Sequence, residues 1–455
     1  METDWVEAEM RSLKLSDHRL TVRTKEVIEK LIQRPAVSLP EASGNWAATK
    51  AVYRLLDNPR VEEDAIRRAH YQATRERVTG KERILAIQDT TELNYTGKQV
   101  AKSMGHLANQ YGRGMLMHSV LAASEQGVPL GLLHQQIWTR NLAEKGKVKE
   151  RRKKATSEKE SQRWLDSLQA TEDLLPQTVE IVHIADREGD IYDLFDLPRR
   201  AGSHLLIRID HNRLVEHKAR YVWEAILQEP VVGERSVAVR QQANREARIA
   251  QVSVRFLTLT IRPPHKQSRA GVSLQIILAQ EREAPTGVQP IEWLLATTLP
   301  VASFEDALVG IDYYSLRWLI ERYHFVLKSG CQVEELYLQT PDRLLRALAI
   351  YAIVAWRLLW LTYEARQNPD QTCDRVLKTH EWQALYCAIH KISKPPDHPP
   401  TLQQAVFWIA RLGGFLGRKG DGYPGPKSIW QGLRRLEDIA ATWLLLNPTT
   451  LSTYG

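Results

Sequence analysis

Two aspartates close short apolar runs in this sequence. Asp89 follows ILAIQ and Asp186 follows IVHIA. Runs of this length and composition read as buried β-strands. Carboxylates at the ends of neighbouring strands offer hard oxygen ligands on a rigid frame, which is one way to hold a divalent cation. Aspartate is also an ordinary turn or cap residue at a strand end, so the pair alone leaves both possibilities open. Glu92, Glu188 and Asp190 lie close by in sequence and are expected to be supporting or solvated acids. A third element lies in IDYYSLRWLIERYHFVLKSG, where Tyr314, Arg317, Glu321 and Lys328 fall at offsets 0, 3, 7 and 14. At about 100° per residue these four project within roughly 60° of one another on one helix face. Trp318 lies beside them. A stripe with a phenol, two cations, a carboxylate and an indole is poor core material. Its plain alternative is a solvated face with Arg317 paired to Glu321, which leaves Tyr314 and Trp318 unexplained.

The elements that must position these residues follow from periodicity. Residues 1–70 read as helical: Ser16-Asp17 are cap candidates, and Leu20, Val27, Ile28 and Leu31 follow at helical spacing before Pro35. WAATKAVYRLLDNP repeats the pattern. Strands are expected at MHSVLAAS, GLLHQQIW and HLLIRID, with a helix starting after Asp186. The charge run from Lys145 to Glu160 is either a solvated loop or a phosphate-contacting patch. Residues 217 to about 300 alternate and are rich in β-branched residues, as an inserted sheet would be. From Phe304 to Gln367 the chain is expected to be helical. A proline-rich break at Pro395–Pro400 precedes two amphipathic helices, the second over Ile429–Leu446 with Leu433, Leu436, Ala440, Trp443 and Leu444 on its apolar stripe.

Composition narrows the class. Hydrophobic residues at 43% and charged ones at 25% are those of a folded globular chain, arguing against wholesale disorder. A formal charge of +8 is compatible with a polyanionic partner. The 13 Trp outnumber the 6 Phe, favouring the aromatic with both a stacking face and a donor. Three scattered cysteines argue against a disulfide framework and fit a reducing cytoplasm. The apolar stretch Ala347–Trp356 is too short for a bilayer span and is expected to be a buried helix, with no membrane partner.

The spacing Tyr-x2-Arg-x3-Glu-x6-Lys resembles the signature of bacterial insertion-sequence DDE transposases, and the chain looks like a cut-and-paste transposase of the Tn-five type. Similar stretches include AVYRLLDNPRV, LAIQDTTELNY, ADREGDIYDL, EWLLATTLPV and ARLGGFLGRKGDGYPGPKSIWQG. The resemblance implies an α/β fold with a ribonuclease-H-like catalytic core, a mixed sheet with flanking helices, over 71–365. The β-rich stretch 217–300 would be its insertion, accounting for the 135 residues between Asp186 and Glu321. Helical units would flank it, 1–70 for DNA end recognition and 366–455 for dimerisation. It implies that Asp89, Asp186 and Glu321 are the catalytic acids and bind two Mg²⁺ ions, with Mn²⁺ as a substitute. It further implies that Tyr314, Arg317 and Lys328 clamp a phosphate, that Trp293 and Trp318 attend a flipped base, and that Arg208 and Arg23 are DNA contacts. The implied partners are double-stranded DNA, both element ends and target, and a second copy of the chain. The implied setting is the bacterial cytoplasm, at the nucleoid when bound to DNA. Two alternatives remain at this point: a ribonuclease-H-like nuclease without strand transfer, and a domesticated DNA-binding dimer without chemistry.

Overall fold

The structure, a computed structural model, describes residues 5–109, 111–142, 154–239, 248–264, 269–418 and 420–447. Five helices come first: α1 (Trp5–Glu9), α2 (His18–Gln33), α3 (Leu39–Ser43), α4 (Trp46–Asp57) and α5 (Glu63–Val78). Three of their starts are set by short polar side chains. Asp17, Ser38 and Asn45 accept the backbone N–H of Arg19, Glu41 and Ala48, filling donors that the first helical turn leaves open. α2 buries Val27, Ile28 and Leu31, as the spacing predicts. α5 runs through residue 70 without a break.

A buried polar cluster ties α1 to α5. The Leu132 N–H donates to His70 Nε2 at 2.9 Å. The neutral ring therefore carries its proton on Nδ1, which lies 2.5 Å from Glu9 Oε1 and donates to it. Arg77 donates to Glu9 Oε2 at 2.5 Å and to the Leu130 carbonyl at 2.6 Å. Glu9 is thus fully buried yet fully partnered.

The next elements are β1 (Arg83–Asn94), β2 (Gly105–His106), β3 (Arg113–Ala123), β4 (Pro129–Trp138), α6 (Gln162–Leu174), β5 (Glu180–Ala185), α7 (Tyr192–Asp196), β6 (Ser203–Arg208), α8 (Val222–Gln228), β7 (Gly233–Val239), β8 (Arg248–Ile261), β9 (Val272–Glu281) and β10 (Glu292–Thr297). All ten strands form one mixed sheet of order β2-β3-β1-β5-β6-β10-β9-β8-β7, with β4 also on β3. β1 pairs antiparallel with β3 and parallel with β5, and β5 pairs parallel with β6. The stretch expected as an inserted sheet instead extends the central one. β10 lies antiparallel to β6, with Leu295 opposite Arg208, and β9 lies against β10. Without β10, β6 would present an open row of backbone donors and acceptors, which a sheet avoids by adding a strand or a cover. Of the charge run Lys145–Glu160, residues 145–153 lie outside the described residues.

The helical stretch expected over 304–367 is interrupted. It divides into α9 (Phe304–Ser315), α10 (Trp318–Phe325), a π-turn at Val326–Gly330 and α11 (Pro341–Gln367). Gln332 takes a left-handed conformation at φ 51°. Thr340 then caps a new start, with Pro341 in the first turn where its missing N–H costs nothing. α11 is long and apolar enough to cross a membrane, but 89% of its most apolar window is buried inside the protein. It is the central helix of the main core, as the reading of Ala347–Trp356 anticipated.

The remaining helices are α12 (Thr379–His390), α13 (Leu402–Leu412) and α14 (Pro426–Leu446). α12 precedes the prolines and has no counterpart among the expected helices. α14 buries Leu436 and Ala440 of the expected stripe, while Leu445 beyond it is exposed. Ion pairs hold α14 to the N-terminal helices: Arg34 to Glu437 and to Asp438 at 2.7 Å, and Arg434 to Glu41 at 2.7 Å.

Candidate active site

β1 is longer than the sequence suggests, and this sets the site. The strand does not stop at Asp89; it runs on to Asn94 against β3. β5 stops at Ala185, and its last pairing with β1 sets Ile87 opposite Ile184. Two residues further along the same register, Asp89 stands beside Asp186, on strands about 4.8 Å apart. Side chains alternate between faces, so Asp89 shares the face of Leu85 and Ile87, and Asp186 that of Val182 and Ile184. All four apolar residues belong to the core that also contains α11. Both carboxylates therefore rise from the helix-covered face where β1 outruns β5.

α10 packs on β1 and brings Glu321 to the same place. Burial, with Asp89 and Glu321 close by, pushes the Asp186 carboxyl up, against the opposing pull of the Glu188 N–H and Arg317. The Glu188 N–H donates to Asp186 Oδ1 at 2.9 Å. Ionising Asp186 beside Asp89 and Glu321 carries a cost that a cation would relieve. As placed, Glu321 is engaged by Arg317. Among the described residues, no three acidic, His or Cys side chains stand together in ligand geometry. The donor set is oxygen only and suits a hard divalent ion, provided Glu321 turns from Arg317 to the two aspartates.

The stripe on the helix survives in part. Leu316 and Arg317 keep helical dihedrals across the junction of α9 and α10, so Tyr314, Arg317 and Glu321 remain on one side. Tyr314 is buried beneath Trp293, whose ring meets it edge-on at 5.2 Å, and the Arg208 guanidinium lies near its hydroxyl. Arg208 donates to the Glu292 carbonyl at 2.8 Å. Tyr314, Arg317, Glu321, Trp293 and Arg208 thus form one neighbourhood with the two aspartates. Lys328 leaves the stripe because the π-turn rotates the face beyond Phe325. Its Nζ donates to the Glu92 carbonyl at 2.8 Å and pairs with Glu334 at 3.4 Å, bracing the end of β1. Trp318 is half-buried with its ring against Tyr363 at 5.9 Å. Arg23 is exposed on α2 and pairs with Glu26 at 3.4 Å.

The neighbouring acids separate by role. Glu92 accepts the Ala108 N–H at 2.6 Å. Asp190 is not solvated: it is buried, bound by Arg213 at 2.7 Å, and accepts the N–H groups of Asp210 and His211. It fixes the chain that leaves β6.

Two groups escape a reading of the sequence. Arg163 on α6 donates to Thr90 Oγ1 at 2.9 Å and to Glu188 at 2.6 Å. It ties the residue after Asp89 to the turn that follows Asp186, a contact that only the tertiary fold creates. The second group is on α4, where Trp46, Lys50 and Arg54 occupy one exposed face at spacing i, i+4, i+8. Trp46 is 78% exposed. Among the described residues, none of these three side chains makes a hydrogen bond or an ion pair. The spacing i, i+4, i+8 that puts them on one face is present in WAATKAVYR.

Comparison with known families gives two matches. Residues 2–61, the helices from α1 to α4, match the family described as transposase DNA-binding. Residues 353–442, from the middle of α11 into α14, match the transposase Tn5 dimerisation domain. The unpaired cations of α4 lie in the first match, and the partly buried stripe of α14 in the second.

Proposed function

From the premise that this chain is a Tn5-like transposase, we propose that it excises a DNA element and joins the element's 3′ ends to target DNA. The observation that carries the proposal is the convergence of Asp89, Asp186 and Glu321 where β1 outruns β5, with Arg317, Tyr314, Trp293 and Arg208 around them. A ribonuclease-H-like core is supported by the strand order β4-β3-β1-β5-β6, antiparallel on one side of β1 and parallel on the other. Asp89, Asp186 and Glu321 would hold two divalent ions, Mg²⁺ or Mn²⁺, which when bound activate an attacking hydroxyl and stabilise the leaving oxygen.

The chain's own groups account for the rest. Arg317, released from Glu321 once that carboxylate turns to the aspartates, presents a planar fork to a phosphate beside the scissile bond. Tyr314 and Arg208 line the same approach. Lys328 holds the end of β1 in place and adds positive charge near it. Cleavage of one strand frees a 3′ hydroxyl; its attack on the opposite strand closes a hairpin, and water reopens it. A tight hairpin forces a base from the stack, and Trp293 would fill the gap. Trp318 becomes available to such a base only by leaving Tyr363. Two chains joined through their C-terminal helices would hold two element ends.

Trp293→Ala is expected to slow hairpin closure by at least about tenfold more than first-strand nicking. Equal loss of both steps in a denaturing-gel time course would remove the wedge role. On α4, Lys50→Ala with Arg54→Ala is expected to weaken DNA binding and to flatten its salt dependence by about two counterions. An unchanged slope of log K against log salt would place the phosphate contacts elsewhere.

The proposal as a whole is tested with a plasmid carrying the DNA that flanks this gene. Purified chain is added with Mg²⁺ or with chelator, and products are run on native and denaturing gels. Metal-dependent release of the segment with hairpin ends is the expected result. Binding without cutting would make the chain a non-catalytic dimer, and cutting at unrelated sequences would make it a nuclease.

A further inference from the structure

Behind the two aspartates, on the opposite face of the sheet, runs a chain of polar side chains. Gln88 and Thr90 flank Asp89 in β1, so both point away from it, toward α6. His118 of β3 stands opposite Thr90 in register and is fully buried, with Trp164 of α6 edge-on to its ring at 4.6 Å. The direction of each hydrogen bond is fixed. Burial pushes the His118 ring well down, so it is neutral and carries one proton. Its Nε2 lies 3.2 Å from Gln88 Oε1, which can only accept, so the proton is there. Nδ1 therefore accepts from the Thr90 hydroxyl at 2.8 Å, and Thr90 Oγ1 in turn accepts from Arg163 Nε at 2.9 Å.

Arg163 carries the chain across to the second aspartate. Its Nη2 donates to Glu188 Oε2 at 2.6 Å and its Nη1 to the Glu160 carbonyl at 2.8 Å. All three nitrogens thus have protein acceptors, and the side chain is only 12% exposed. The Glu188 N–H, at the far end, donates to Asp186 Oδ1. This link matters because the pairing of β1 with β5 ends at Ile87 and Ile184, two residues before the aspartates. Past that point, among the described residues, no backbone bond between the two strands sets the distance between the carboxylates. Arg163 spans the gap.

We propose that Arg163, through Thr90 on one side and Glu188 on the other, is a positioning residue that fixes the spacing of Asp89 and Asp186 for a divalent cation. The proposal rests on the reading of these acids as a metal site. Its sign separates it from a plain charge effect. A guanidinium near the acids repels a cation, so on charge alone its removal would tighten metal binding. Loss of positioning would weaken it, and groups that orient metal ligands are typically worth about 10–100-fold in affinity.

The test titrates Mn²⁺ into the full chain on an end duplex and follows free Mn²⁺ by its electron paramagnetic resonance signal. Asp89→Asn sets the baseline, and Tm is measured alongside. Arg163→Met removes every donor, and Thr90→Val is nearly isosteric but lacks the hydroxyl. Each is expected to weaken Mn²⁺ binding by about tenfold or more, with end binding near wild type. Thr90→Ser, which keeps the hydroxyl, should bind Mn²⁺ like wild type; this pair decides the matter if Arg163→Met does not fold. Tighter or unchanged Mn²⁺ binding in Arg163→Met, or Thr90→Ser as weak as Thr90→Val, would overturn the positioning role and leave the acids standing as the metal site. Wild type binding no more Mn²⁺ than Asp89→Asn would instead remove the metal site, and the positioning role with it.

Discussion

Glu321→Gln is expected to lower DNA strand cleavage by at least about a thousandfold while DNA end binding stays near wild type. The substitution is nearly isosteric and keeps α10 intact. It removes an ion pair with Arg317 in which the glutamate is about half exposed, and pairs of that kind contribute at most about 1 kcal/mol. Loss of activity without loss of fold would then trace to the carboxylate itself. Asp89→Asn and Asp186→Asn should match it in cleavage. Asp186→Asn carries an additional signature. Its carboxyl is pushed up by burial and by Asp89 and Glu321, so the folded state pays to ionise it. A carboxyl raised on folding favours the folded state at low pH and loses that contribution as pH rises through its folded value. At neutral pH the amide should therefore leave Tm unchanged or raise it. Cleavage measured on a pre-bound end duplex, with Tm alongside, decides the matter. Retained cleavage in any one variant would strike that residue from the site, and a collapse in Tm would give it a structural role instead.

The second large effect lies on the other side of the molecule. Glu9→Ala is expected to destabilise the chain by about 3–5 kcal/mol, the range for breaking a buried pair by removing one partner. It would strand the His70 Nδ1–H and two Arg77 donors in the core. Burial by itself would raise the Glu9 carboxyl, but Arg77 and His70 outweigh it and hold it at about 2. A depressed carboxyl contributes stability that is complete above its unfolded value of 4.5 and is lost as pH falls toward 2. Wild type should lose this contribution over that window, whereas Glu9→Ala should lack it at every pH. Unfolding by urea at pH 7 and at pH 3.5 tests both statements. Equal pH sensitivity in the two proteins would show that the cluster does not supply the acid-labile part of the stability.

The legible part of this molecule is what a single element determines. Asp89 and Asp186 were findable because buried parallel strands leave uninterrupted apolar runs that a charged residue must end or outlast. Tyr314, Arg317 and Glu321 were findable because a helix repeats its faces within seven residues. The misplacements all come from tertiary decisions. β1 continues past Asp89 because β3 goes on pairing with it, which nothing in ILAIQDTTELN announces. The strands of 217–300 join the central sheet because β6 needs a neighbour. Lys328 departs from its stripe because a π-turn intervenes, closed by Gly330 packing against Trp430. Trp318 finds Tyr363 across 45 residues of chain. Arg163, bridging Thr90 and Glu188, is invisible to any periodicity, since its partners lie 73 and 25 residues away.

α11 has a consequence for any attempt to recombine such proteins. The dimerisation match begins at residue 353, in the middle of a helix that spans Pro341–Gln367 and is buried along most of its length. The family border and the physical border do not coincide. A chimera spliced at 353 would pair half a helix with a foreign half and misalign every side chain facing the sheet and α10. Exchange of dimer specificity between related chains should succeed only with crossovers after Gln367, in the turn before α12, where the chain leaves the core. The same rod packs against α10, so a splice within it would disturb the surroundings of the acidic site together with the dimerisation match.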